Sequence, residues 1–250
     1  LAPQGKILFD FFIVRDGDGL LLDVAHDKVA DLIKRLTLYR LRAKVTFEAA
    51  ADRAVLALWG AAVPPAPGSG HVYADPRLAA LGWRVIIPAA KVEAWGSANL
   101  QMVDVAHWHA HRVQLGVPEG GTDFAYGDTF PHEADMDQLA GVSFTKGCYV
   151  GQEVVSRMQH RGTARKRFVQ VTGATPLIAG AAITAGGATI GSLGSIAGTQ
   201  GLALVRLDRA ADAKAKGEEL KAGDTAIDVV KPAWASFDLV PPPREASHDL

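Results

Sequence analysis

A single cysteine, Cys148, stands in a chain of 250 residues. One cysteine excludes an internal disulfide and any cysteine-rich zinc or iron–sulfur ligand set. Charge of either sign is not in excess: 26 Lys and Arg against 27 Asp and Glu leave a net charge of −1. No global attraction to nucleic acid or to a membrane therefore operates, and any such contact needs a local patch. No run approaches the ~20 apolar residues of a spanning helix, and no membrane partner is expected. The start, LAPQGKILFDFFIV, has neither a basic n-region nor a small-residue cleavage signal. A reducing, cytoplasmic setting is the expectation from these absences. Also missing are a GxxxxGKS/T phosphate loop, a GxGxxG after a strand, an HExxH and a GxSxG, so nucleotide-loop, zinc-protease and serine-hydrolase chemistry have no support. His107, His109 and His111 alternate, but no third ligand or carboxylate is in register, and no metal site is expected.

What is present divides the chain. Lys6 to Val14 reads as a buried strand, turning at Arg15-Asp16-Gly17-Asp18-Gly19 into a return strand at Leu20 to Val24. Asp10 is then a carboxylate inside an apolar strand, on the face opposite Phe9 and Phe11. From Asp27 the period changes: Val29, Leu32, Ile33 and Leu36 mark an amphipathic helix with Asp27 as its cap. Lys44 to Ala49 and Ala54 to Trp59 are expected to form a hairpin around Ala51-Asp52-Arg53, and 60–70 is a loop by composition. Short strands are expected at His71 to Tyr73 and Trp83 to Ile87, and a helix at Val103 to Leu115 closed by Gly116. Glu119 to Glu133, EGGTDFAYGDTFPHE, is polar, glycine-rich and irregular; a loop that long is often functional. Beyond Phe168, strand-like runs at 168–172, 182–185, 189–193, 202–207 and 225–230 suggest a small barrel or sandwich. The expected organisation is an α+β region over 1–165, with a second lobe at roughly 40–115, a barrel over 168–240, and a tail at 241–250.

The chemistry concentrates in FTKGCYVGQE, residues 144–153. A thiol reacts as its thiolate, which nearby cations favour, and Lys146, Arg157 and Arg161 are close in sequence to Cys148. Gly147 and Gly151 permit a tight path that exposes the sulfur. Gln152 offers a donor and an acceptor, Glu153 accepts from paired N–H donors, and Val150, Val154 and Val155 anchor the segment as a helix starts near Gln152. A lone cysteine is otherwise a small buried hydrophobe, and on its neighbours the two readings stand even. The run Arg157 to Arg167, RMQHRGTARKR, holds four arginines and Lys166. It suits carboxylates, phosphates or an RNA backbone, with RNA the weaker partner because no aromatics are interleaved.

The pattern K-G-C-Y-x-G-Q-E-x-x-x-R-x-x-x-R-G, Lys146 to Gly162, resembles the signature of the YgfZ family of folate-binding proteins. That family is related to the T-protein, the aminomethyltransferase of the glycine cleavage system, and to a mitochondrial iron–sulfur assembly factor. PQGKILFDFFIV, EGGTDF with GDTFPHEADMDQL, and GSLGSIAGTQGLALVRLD resemble further family blocks. The resemblance implies a multi-lobed α+β fold, one lobe ferredoxin-like, with a C-terminal β-barrel, around a central hole that receives tetrahydrofolate. It implies an accessory role in assembly or repair of iron–sulfur clusters, with iron–sulfur proteins or their assembly machinery as partners and tRNA thiolation downstream. Cys148, Lys146, Gly151, Gln152, Glu153 and Arg157 carry over as motif positions. Asp10 matches the T-protein's catalytic carboxylate, expected to exchange a proton near N5 or N10 of the folate. Glu133, in Pro131-His132-Glu133, resembles the glutamate that holds the pterin, and Arg157 and Arg161 suit the anionic folate tail. A further segment of some tens of residues ahead of Pro3-Gln4-Gly5-Lys6 is implied. The alternatives are a folate-dependent one-carbon transferase like the T-protein and a tRNA-contacting protein using Arg157 to Arg167.

Overall fold

The computed structural model describes residues 1–60, 64, 66, 68, 70–96, 100–162 and 164–239. The proposed tail at 241–250 and much of the loop at 60–70 lie outside them. The chain divides into two compact units: Leu1 with Ile7–Trp108, and Ala2–Lys6 with His109–Leu250.

The first unit opens on the expected hairpin, β1 (Phe11–Asp16) with β2 (Gly19–Val24). Register runs from Phe11 opposite Val24 to Asp16 opposite Gly19, so the turn is the two residues Gly17-Asp18. Gly17 takes φ +57°, as such tight hairpin turns require. The strand begins later than expected: residues 7–10 lie outside it, and Asp10 precedes β1 rather than sitting within a strand face. Helix α1 spans Val29–Arg40. Asp27 does not cap it; it lies in a 3-10 turn ahead of the helix and pairs with Lys28 at 2.8 Å.

The strand expected at Lys44 to Ala49 is absent. Its backbone is drawn into local turns: Val45 N–H donates to the Ala43 carbonyl, and Arg40 donates to the Val45 carbonyl at 3.0 Å. β3 (Arg53–Leu58) instead pairs with β5 (Trp83–Pro88), which also pairs with β4 (His71–Ala74), giving the antiparallel order β3-β5-β4. The run Val85, Ile86, Ile87 on the central strand is wholly buried, which is why it reads as continuously apolar rather than alternating. Polar contacts tie the hairpin to this sheet. Asp23 accepts from the Tyr73 hydroxyl and from Arg84 Nε, each at 2.7 Å, and the Arg84 guanidinium stands 4.6 Å from the Phe12 ring centre. A short helix, α2 (Val92–Gly96), follows.

Helix α3 (Val105–Gln114) contains the division between the units. It ends in a Schellman arrangement: Val117 N–H reaches the Arg112 carbonyl and Gly116 N–H the Val113 carbonyl, with Gly116 at φ +77°. In the second unit, residues 119–140 form successive turns, and α4 (Gln152–Arg161) follows the cysteine. The C-terminal strands β6 (Lys166–Gly173), β7 (Ala182–Ala185), β8 (Ala188–Ala197), β9 (Gln200–Arg206), β10 (Leu220–Ala222) and β11 (Thr225–Val230) close a six-stranded barrel, ordered β10-β11-β6-β9-β8-β7. Closure leaves no sheet edge. β10 and helix α5 (Leu207–Ala215) were not anticipated; α5 adds Leu207, Ala210 and Ala213 to the barrel core, and two alanines make a weak hydrophobic signal.

One register shift in the barrel has a purpose. β8 gains a residue against β9 between Leu193 and Ile196. There Asp123 accepts the Ser195 N–H at 2.6 Å and the Glu119 N–H at 2.9 Å. The same Asp123 pairs with Arg112, which also donates to Ser195 Oγ and lies 3.0 Å from Glu119. Arg112 is 1% exposed. The EGGTDF and GSLGS blocks are thus two sides of one buried ion cluster, with the extra backbone donor of the bulge satisfied by a carboxylate.

Candidate functional site

Cys148 is exposed. It rides a loop between Gly147, at φ +89°, and Gly151, at φ +81°, immediately ahead of α4. The loop is closed from within: Gln152 Oε1 accepts the Tyr149 N–H, and Gln152 N–H donates to the Tyr149 carbonyl, both at 3.2 Å. Lys146 Nζ stands 5.1 Å from the Tyr149 ring centre, a cation held over a π face on the loop that carries the thiol. The Tyr149 hydroxyl is buried without a hydrogen-bond partner among the described residues, and burial raises its pKa. Of the anchoring valines only Val155 is fully buried; Val150 is exposed.

The remaining motif residues occupy α4. Glu153 and Arg157 pair across one turn at 2.6 Å, both exposed, an arrangement worth a few tenths of a kcal/mol, about 0.3–0.5. Arg161 ends the helix, and its side chain lies outside the described residues. The basic run does not form one face. Arg167 turns inward from β6, bonding both oxygens of Asp137 at 2.5 and 2.9 Å, Asp135 at 3.2 Å and the His132 carbonyl at 2.8 Å. Asp135 is fully buried in the left-handed region, at φ +55°. Burial raises its pKa well above the ordinary carboxylate range, against the pull of Arg167.

Glu133 is half-buried on a turn it closes itself: its backbone N–H reaches the Phe130 carbonyl at 3.0 Å, and its Oε2 accepts the Phe130 N–H at 2.9 Å. A carboxylate has about four lone-pair sites. One accepts from Phe130 N–H and fixes the group, and the acceptor sites left suit adjacent N–H donors such as a pterin edge presents. Lys6 supports this turn from the N-terminal segment, stacking 3.7 Å above the Phe130 ring and bonding the Asp128 carbonyl. The neighbouring residues Ala2 and Gly5 pack against Gly151 and, for Gly5, Val154 of α4. Asp10 belongs to the first unit, where it is half-buried ahead of β1.

Sequence reasoning missed His132. It is 1% exposed. Its Nε2 lies 3.0 Å from Gln159 Oε1 on α4, and its ring is 6.0 Å from that of Phe144, at the start of the cysteine segment. A histidine beside a glutamate in a polar loop gives no periodic signal of burial. Of the alternating histidines, His107 lies 3.0 Å from Asp104 and His109 3.3 Å from Glu119. Among the described residues no group of three or more His, Cys, Asp or Glu could hold a metal ion.

Residues 165–237 match the family described as "CAF17, C-terminal beta-barrel domain". The chain is 34% identical over 232 residues to the iron–sulfur cluster assembly factor IBA57, mitochondrial, of Homo sapiens, with 82% of this chain and 63% of that protein covered. It is 35% identical over 181 residues to the IBA57 homolog of Mycosarcoma maydis, covering 69% and 44%. The chain therefore spans less than two thirds of the length of these curated relatives. Among solved structures, the glycine cleavage system aminomethyltransferase T from Bartonella henselae superposes with a TM-score of 0.69 at 17% identity, covering 94% of this chain and 74% of that one. The expectation of a cytoplasmic protein is corrected by these relatives, which are named as mitochondrial; a lone cysteine and the lack of a membrane-length helix among the described residues do not set a compartment. The chain is thus similar in sequence to mitochondrial iron–sulfur cluster assembly factors, shares its fold with the aminomethyltransferase T of the glycine cleavage system, and ends in a six-stranded barrel that matches the CAF17 C-terminal domain.

Proposed function

We propose that this protein binds tetrahydrofolate and uses it, with Cys148, to support the assembly or repair of iron–sulfur clusters on client proteins. The observation that supports the reading lies within one unit. Glu133, a carboxylate fixed by its own turn, follows the buried His132, whose ring meets Phe144 and Gln159 on either side in sequence of the exposed Cys148. Glu133 would accept the pterin N–H donors, its orientation already set by the Phe130 N–H, so little ordering is needed on binding. Bound tetrahydrofolate would supply a reduced pterin. Cys148 offers a nucleophile or soft ligand that solvent and a partner protein can reach, with the Lys146 cation on the same loop. The relatives' role in iron–sulfur cluster assembly supplies the process, and the assembly machinery the partner.

The test is titration of the wild type and Glu133→Ala with tetrahydrofolate by calorimetry. Binding weakened at least about tenfold in the variant is expected, the loss of charge-assisted hydrogen bonds. Absence of binding by the wild type would overturn the folate reading. Folate-dependent aminomethyl transfer from a lipoyl carrier would instead make the protein a one-carbon transferase.

A further inference from the structure

His132 is placed to do more than fill space. Its carbonyl is anchored to the barrel by Arg167 at 2.8 Å. Its two chain neighbours are the buried Pro131 and the carboxylate-bearing Glu133. Its ring touches the cysteine segment on both sides of the thiol. Phe144, four residues before Cys148, lies 6.0 Å away between ring centres, and Gln159, on the helix that Cys148 leads into, is 3.0 Å from Nε2. Burial holds the imidazole neutral by lowering its pKa, so one ring nitrogen carries the hydrogen and the other does not. With Nε2–H donating to Gln159 Oε1, Nδ1 is left buried and without a partner among the described residues. A ring with one bond and one orphaned nitrogen has a single well-defined link, and that link runs to α4.

We propose that His132 is a positioning residue that couples occupancy at Glu133 to the exposure and reactivity of Cys148. The proposal rests on the folate reading of Glu133. A ligand drawn to that carboxylate pulls on the Phe130–Glu133 turn, whose internal hydrogen bond shares the same oxygen. The turn cannot move without His132. His132 cannot move without shifting α4 through Gln159, its one hydrogen-bonded side-chain partner among the described residues. Because the packing is dense and the hydrogen bond directional, a small displacement is passed on rather than absorbed.

The single cysteine makes the test direct, since every alkylation event reports Cys148. The rate of reaction with iodoacetamide is measured with and without saturating tetrahydrofolate, with binding followed separately by calorimetry. A rate change of about fivefold or more on saturation is expected for the wild type. Gln159→Ala, an exposed helix position, should still bind folate but lose the rate change, while Gln159→Glu, which keeps the acceptor, should retain it. His132→Phe, which keeps a ring against Phe144, should behave like Gln159→Ala; the Gln159 pair decides the matter if that buried variant does not fold. Folate bound with no rate change in the wild type overturns the coupling alone. A rate change that persists in Gln159→Ala also overturns it and shows direct shielding of the sulfur. Failure of folate to bind at all removes the proposed function as well.

Discussion

Gly5 and Gly151 meet backbone to backbone. A methyl group added to Gly151 would fall 2.9 Å from the Gly5 Cα and 2.5 Å from the Ala2 carbonyl oxygen, and both glycines have left-handed φ, +80° and +81°. This contact joins the PQGK block to the cysteine motif, and Lys6 next in the chain continues to the Glu133 turn. Two sequence blocks more than a hundred residues apart, with no chemistry in common, are thus one structural unit.

Gly151→Ala should therefore cost more than left-handed strain alone, since backbone atoms cannot move aside as a side chain would. A loss of about 3 kcal/mol or more is expected, combining ~1–2 kcal/mol for a left-handed Cβ with the clash. Gly147→Ala is the control: at φ +89° it carries a related strain, but a Cβ there meets nothing within 4 Å. Urea midpoints of the two variants check this, and equal losses would remove the packing role given to Gly5.

Arg112 sits 1% exposed between Asp123 and Glu119. Arg112→Met should destabilise by about 3–5 kcal/mol, because the fully buried Asp123 loses its cation where water cannot replace it. Adding Asp123→Asn should recover part of the loss, although the amide cannot accept from both the Ser195 and Glu119 N–H groups. Chemical denaturation of the single and double variants gives the comparison.

The pH dependence of stability should carry a His132 component. Burial lowers its pKa below the ordinary 6.5, with the positive charge of Arg167 acting the same way and the Gln159 hydrogen bond and Asp137 charge opposing. A group depressed in the folded state takes up its proton first in the unfolded chain. Its contribution is therefore full above about pH 6.5 and drains away as the pH falls toward the folded value. His132→Phe should flatten that decline relative to the wild type. Denaturation midpoints from pH 7.5 downward, at about half-unit steps, show it; parallel curves would mean His132 is not the group responsible.

Cys148→Ala should leave stability within about 0.5 kcal/mol, as expected for an exposed side chain in a loop. In cells lacking the native protein, the same variant should fail to restore the activity of iron–sulfur enzymes. Full restoration would make the thiol dispensable.

Local punctuation made much of the fold readable in advance. Gly17-Asp18 announces the hairpin, Gly116 the end of α3, and the glycine-spaced runs after Phe168 the strands of the barrel, because turn geometry is written in the residues that adopt it. The misreadings share a cause. Lys44 to Ala49 has strand composition but no partner strand; Asp27 has cap chemistry but a cation beside it; α5 hides its core face behind alanines. In the site, FTKGCYVGQE located the thiol and its glycines, while the local contacts of Gln152, Glu153 and Arg157 were not legible in it. Gln152 is bonded to the loop it closes, and Glu153 and Arg157 to each other.

The sequence by itself determined where the chain turns, which runs are apolar, and that the only thiol lies on a glycine-bounded segment. These are properties of neighbours in the chain, governed by backbone freedom and side-chain period. Tertiary structure alone decided the closed order of the barrel, the inward turn of Arg112 and Arg167, and the seat of His132 between the Glu133 turn and α4. Those contacts join residues separated by 83 positions for Arg112 and Ser195, 35 for Arg167 and His132, and 27 for His132 and Gln159. Whether a charge is solvated or buried against its counterion depends on what the fold brings to it.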